Sequence, residues 1–428
     1  MTLDLNRSDL ALNGGSPLRT KVWLDNYTTG DEEKAAVLEA MDTGYISKFE
    51  GSFTPDYPFS FWGGPYVQSL EKAWCDFYSM PFAVSMNSAT SGLYAALGAL
   101  EIGYGDEVIV SPCTMTACAV GPLIYGAIPI FADIERETGC LSAKSIEEHI
   151  TPRTRCIILV HQYGIPADMD AILDLAQKNN IKIIEDCAQS HASLYKGKYV
   201  GTMGDIGVFS LNVNKTIQSG EGCVCVTSDE DLRYRLALIR NHGEAVVDAS
   251  EYNNILNIIG FNYRMTEIQS AIALEQLKKL NSLTQIRLEM VDYLNSNLKK
   301  YEFLEIVNGR KDCDSTYYQY PIIFKEDVSG ISKIEFQKAL TAEGAYFFSP
   351  PKILYKESIY QRKLAFKHGY PFSAPENSEI KTNYNLGSCP IAEKSREHEM
   401  MLSEHIRFPN KMKDMDDIIK IFEKVVGF

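Results

Sequence analysis

Three short stretches collect small polar, acidic and amine side chains at places where apolar runs end. The first, Asn87-Ser88-Ala89-Thr90-Ser91-Gly92, leads into an apolar helix predicted over Leu93 to Leu100. The first amides of a helix have no intrahelical acceptor, and small residues there let an anion approach closely. Asn87 or Ser88 acting as a simple N-cap explains the same pattern. The second stretch, Ile183-Ile184-Glu185-Asp186-Cys187-Ala188-Gln189, puts acids at the end of a buried run. A carboxylate there is costly unless it is paired or hydrogen-bonded, so it is a helix cap, a metal ligand or the partner of a cation. The third runs from Ser210 through Asn214-Lys215-Thr216-Ile217-Gln218-Ser219-Gly220-Glu221-Gly222. Taken alone, Lys215 reads as a solvated loop lysine. A lysine in a short connection after a buried strand can also reach back over a sheet edge, where partial desolvation makes the amine a competent nucleophile.

Together the three stretches narrow the choice. An anion cup, then an acid at a strand end, then a lysine after a further strand is the order used by fold-type I pyridoxal-phosphate enzymes. An anionic Asp186 beside the pyridine nitrogen would keep that ring protonated and make it an electron sink for a substrate carbanion.

The elements that must position these groups follow an α/β rhythm from about Glu107 onward. Strands are expected at Val108–Val110, Pro129–Phe131, Ile157–Val160, Ile181–Ile184, Val208–Ser210 and Cys223–Val226, most of them apolar throughout. Strands covered on both faces look like this, so a mainly parallel central sheet flanked by helices follows. Ligands of such sheets gather beyond the carboxyl ends of the strands. A long amphipathic helix is expected from Met265 to Leu283, continuing to about Lys300. An edge strand over Tyr317–Phe324 and a last helix over Asp414–Val426 complete a smaller α+β unit. The expected division is therefore 1–275 for an N-terminal segment and large domain, and 276–428 for a linker helix and small C-terminal domain. Between Gly44 and Tyr66, Gly, Pro and the aromatics Phe53, Tyr57, Phe59, Phe61 and Trp62 predict a loop, either pinned by aromatic burial or serving as a lid or dimer-interface arm.

The 428 residues carry a net charge of −14, which argues against a nucleic-acid partner. No apolar run is long enough to span a bilayer, and the first residues lack the features of an export signal, so a cytoplasmic protein is expected. Ten scattered cysteines fit buried free thiols better than a metal or redox site, and Cys223 and Cys225 stand too close for a zinc ribbon.

The chain resembles the DegT-type family of sugar aminotransferases. The matching stretches are Leu10-Ala-Leu-Asn-Gly-Gly, Asn87-Ser-Ala-Thr-Ser-Gly, Gly105-Asp-Glu-Val-Ile-Val, Ile150-Thr-Pro-Arg-Thr, Ile184-Glu-Asp-Cys-Ala-Gln, Asn214-Lys-Thr-Ile-Gln-Ser-Gly-Glu-Gly, Arg240-Asn-His-Gly and Asn262-Tyr-Arg-Met. They cover the chain to about residue 275. The resemblance implies a fold-type I transferase in which Lys215 is the Schiff-base lysine and proton carrier, and Asp186 holds the pyridine nitrogen. It places Gln189 near the ring hydroxyl, Thr90, Ser91 and Ser210 on the phosphate, and Asn262 or Arg264 on the phosphate of a neighbouring subunit in a homodimer. Met115 stands where many members stack an aromatic on the ring, and Cys223 where a glycine is common. The implied reaction moves an amino group from glutamate or glutamine to a keto-sugar, nucleotide-linked in most members. A keto-cyclitol or related antibiotic precursor is the second acceptor. Relatives that dehydrate carry histidine in place of the lysine, which Lys215 disfavours. A protein that holds the cofactor without turnover is the non-enzymatic alternative. Phe59–Trp62 and Tyr346–Pro351 are the expected substrate contacts.

Overall fold

The computed structural model describes residues 3–52, 59–250 and 252–427. Its centre is a seven-stranded sheet: β1 (Phe82–Met86), β2 (Glu107–Val110), β3 (Ile128–Phe131), β4 (Thr154–Val160), β5 (Lys182–Asp186), β6 (Ile206–Ser210) and β7 (Cys223–Thr227). The spatial order is β1-β7-β6-β5-β4-β2-β3. Only β7 runs against its neighbours, pairing antiparallel with both β1 and β6. The sheet is thus mainly parallel, and every strand expected from sequence is present; β1 is an additional one.

Both faces are covered. Helices Ala89–Ala99, Ala117–Ile124 and Glu230–Arg240 pack on one face, with Val108, Val110, Ile158 and Val208 in their core. Helices Pro65–Tyr78 and Met169–Asn179 cover the other, over Ile109, Ile157, Ile183 and Val224. Alternation sends successive residues of each strand to opposite faces, which is why the strands read as continuously apolar.

The long helix spans Glu267–Leu298, opened by a Thr266 and Gln269 capping box. Beyond it lies a three-stranded antiparallel sheet in which Tyr320–Phe324 is the middle strand, between Leu304–Ile306 and Met400–Ser403. This corrects the expected edge strand: all five residues of Tyr320–Phe324 are buried, and both of its edges are paired. The last helix is Met412–Val426.

Two segments cross between the halves of the sequence. Leu3 and Leu10 join the core of the second sheet, and Arg19 pairs with Asp414 at 2.9 Å. If the chain divides near residue 275, as we propose, these first residues pack with the second part. Conversely, Leu354, Tyr355, Tyr360 and Tyr384 pack into the core of the large sheet, and the Tyr384 hydroxyl donates to the Pro129 carbonyl at 2.8 Å.

Of the aromatic loop 44–66, Phe53 and Tyr57 lie outside the described residues. Phe61 is buried against Trp62 and Tyr234. Phe59 is exposed and meets Tyr45 edge-on.

Candidate active site

Strands β1, β2, β5 and β6 end at one edge of the sheet, and the residues following them wall a cavity of about 550 Å³. Thr90 is reached from β1, Met115 from β2, Asp186 and Gln189 from β5, and Ser210 and Lys215 from β6. The parallel sheet brings these carboxyl ends together, so residues far apart in the chain converge.

Lys215 sits in the turn between β6 and β7, which are adjacent and antiparallel, so the loop doubles back on itself. Leu211 and Val213 donate to the Gly222 and Gly220 carbonyls, and Gly220 adopts φ +80°. From outside, Asn26 Nδ2 donates to the Val213 and Lys215 carbonyls and Arg407 to that of Asn214. The half-buried Lys215 Nζ lies 4.6 Å from the centroid of the Tyr318 ring and has no ion-pair partner among the described residues.

Glu185 and Asp186 are consecutive in β5 and face opposite sides. Glu185 is fully enclosed and accepts from His161 Nε2 at 3.0 Å and from the amides of Gly201, Met203 and Gly204. Burial alone would raise its pKa, but His161 and these amides hold it below the usual carboxylate value. His161, Glu185 and Cys187 cluster closely enough to suggest a metal site. His161 Nδ1 already accepts the Ala167 amide, however, so the lone pairs a metal requires are in use. Asp186, by contrast, faces the cavity although the residue is only 3% exposed. Each of its oxygens receives one donor, the Ala188 amide at 3.0 Å and the Cys118 thiol at 3.2 Å.

At the start of helix Ala89–Ala99, Ser88 is the N-cap and accepts from the Ser91 amide. The amides of Ala89 and Thr90 precede the first helical acceptors and are left for an anion. Ser91 does not line the cavity; its hydroxyl donates to Asn87 Oδ1 at 2.7 Å. Neither do Asn262 and Arg264, which bond to each other at 2.7 Å beside Asn87. Gln189 Oε1 accepts from the Tyr163 amide, which turns Nε2 outward as a donor. Met115 is 63% exposed at the cavity wall, not a core methionine. Beneath, Cys223 packs against Gly92, where an added Cβ would stand 2.8 Å from its sulfur.

Sequence reasoning missed Thr114, Tyr318, Gln319, Lys352 and Glu357, all of which line the cavity. The last four arrive from the C-terminal part, and no local pattern marks them. Of the two aromatic segments expected to meet substrate, only Pro351 lines this cavity; Phe61 and Phe347 are taken into the cores.

Residues 59–375 match the DegT/DnrJ/EryC1/StrS aminotransferase family. The chain belongs to that family. It is an aminotransferase related to enzymes of sugar and cyclitol amination. The GDP-perosamine synthase of Escherichia coli O157:H7 is 37% identical over 292 residues, covering 68% of this chain and 75% of its own. The L-glutamine:2-deoxy-scyllo-inosose aminotransferase of Streptomyces fradiae is 29% identical over 429 residues, 98% of either chain. An aminotransferase from Psychrobacter cryohalolentis has a TM-score of 0.79 at 26% identity, covering 95% of this chain and 98% of that one. No helix among the described residues is long and apolar enough to cross a membrane.

Proposed function

We propose that this aminotransferase holds pyridoxal phosphate at Lys215 and transfers an amino group from glutamate or glutamine to the ring ketone of a nucleotide-linked sugar. One observation carries the reading: among the described residues, an amine without an acid partner, a buried acid without a cationic partner and a helix N-terminus meet in one cavity. These are the complements of an aldehyde, a protonated ring nitrogen and a phosphate. When bound, pyridoxal phosphate supplies an electron sink and a carrier for the amino group.

Each protein group then has a defined task. Asp186 keeps a proton on the ring nitrogen by charge pairing, and Gln189 Nε2 donates to the ring hydroxyl. Thr90, Ser210 and the first helix amides hold the phosphate. Met115 covers an open face with its thioether. Lys215 Nζ, steadied over Tyr318, takes a proton from the donor's α-carbon and delivers one to the acceptor's carbon. Asn262 and Arg264 serve the cavity of a second subunit in a homodimer with shared sites.

A keto-cyclitol acceptor is the second reading. It is supported by the similarity to the inosose aminotransferase, which extends along 98% of either chain. The test is the visible absorption of the purified protein with pyridoxal phosphate, before and after glutamate or glutamine, beside Lys215→Ala. A band that one donor bleaches and the variant alters is expected. A nucleotide-linked keto-sugar, supplied next, should restore the band faster than a keto-cyclitol, and the reverse order selects the second reading. A wild-type protein whose band neither donor changes would refute the proposed reaction.

A further inference from the structure

We propose that Cys118 is a positioning residue for Asp186, holding its carboxylate by an S–H···O contact toward the cavity, where it would meet the cofactor's ring nitrogen. The inference rests on the cofactor reading above.

The geometry is specific. Cys118 lies in the first turn of helix Ala117–Ile124, fully buried, and its sulfur is 3.2 Å from Asp186 Oδ2. The other oxygen, Oδ1, takes the Ala188 amide at 3.0 Å. Amide and thiol together fix the plane of the carboxylate. Neighbouring Glu185 shows the alternative: three backbone amides and His161 saturate its oxygens, as suits a structural acid. Strong donors lower the basicity of a carboxylate, whereas a thiol is a weak donor. Asp186 is therefore oriented by one amide and one weak thiol donor, with its carboxylate turned to the cavity. Burial, reinforced by the charge of Asp186, keeps the Cys118 pKa well above its ordinary value, so the sulfur retains its proton and remains the donor.

The experiment titrates full-length protein, freed of cofactor, with pyridoxal phosphate and follows the pH midpoint of the visible band. Wild type is compared with Cys118→Ala, Cys118→Ser and, as a control for lost packing, Cys225→Ala. The alanine variant should bind the cofactor about three- to tenfold more weakly and move the midpoint by roughly half a pH unit. Serine, which keeps a donor, should restore both. Cys118→Val, which fills the space without donating, replaces alanine if that variant does not fold. The proposal is overturned if the non-donor variant matches wild type, or if it loses affinity only as much as Cys225→Ala does with the midpoint unmoved. A wild type that forms no band overturns the cofactor reading itself, and this proposal with it.

Discussion

The Nζ of Lys215 lies over the face of Tyr318, 4.6 Å from the ring centroid, so a residue from beyond the long helix supplies the surface that steadies an amine carried by a loop of the large sheet. The loop carrying Lys215 and the approach to strand Tyr320–Phe324 are brought together only by docking of the C-terminal part on the sheet edge. A cation over a ring gains about 0.5–2 kcal/mol.

Tyr318→Ala should therefore slow the donor half-reaction about 2- to 30-fold. Tyr318→Phe keeps the ring and should stay near wild type. Rapid-mixing absorbance with a single donor reads both. A phenylalanine variant as slow as alanine would assign the effect to the hydroxyl.

Asp186→Asn preserves shape and removes the charge. Breaking one side of a buried charge pair costs about 3–5 kcal/mol. The expected loss in kcat/KM for the donor is thus on the order of 10²–10⁴-fold. A change smaller than tenfold would mean that Asp186 does not carry the ring nitrogen.

Gly92 sets how closely the anion-binding helix sits on the sheet. A Cβ there would stand 2.8 Å from Cys223 Sγ and 3.0 Å from both Cys225 Sγ and Val208 Cγ1. Gly92→Ala should destabilise the protein by about 1–3 kcal/mol and weaken cofactor binding as the helix shifts. Adding Cys223→Ala opens space and should recover part of the loss, measured by urea unfolding. A double variant no more stable than Gly92→Ala would show that the contact with Cys223 is not what limits the position of this helix.

Acid should destabilise the fold through two histidines. Burial, with Lys215 as a smaller contributor, pushes His191 down to about 3 from an ordinary 6.5. Burial and Arg407 push His405 to about 4. In both cases the folded pKa is the lower one, so the unfolded chain binds more protons between the two values. Stability is full above about pH 6.5 and falls toward pH 4, by about 1.4 kcal/mol per pH unit for each group. His191 packs against Trp74 and Phe209, so His191→Phe should fold and flatten that slope. Unfolding midpoints at several pH values check it, and an unchanged slope would clear His191.

What the sequence determined by itself was local. Six strands could be read from their apolar runs, because burial on both faces leaves no polar alternation. Lys215, Asp186 and Thr90 could be placed at strand ends and a helix start because the chemistry of those positions depends on a few adjacent residues. The tertiary structure decided which neighbours these groups meet. Period-2 alternation made one acid of the pair structural and turned the other to the cavity, but only the surrounding elements determined which face was which. Tyr318, Lys352 and Glu357 reach the cavity because the C-terminal part packs there, and Cys118 reaches Asp186 because its helix, packed on β2, β3 and helix Ala89–Ala99, starts beside the end of β5. Nothing within a short window of sequence encodes such contacts, since they depend on segments far apart in the chain packing into shared cores. Strand Tyr320–Phe324 became central for the same reason: its second partner, Met400–Ser403, arrives some eighty residues later.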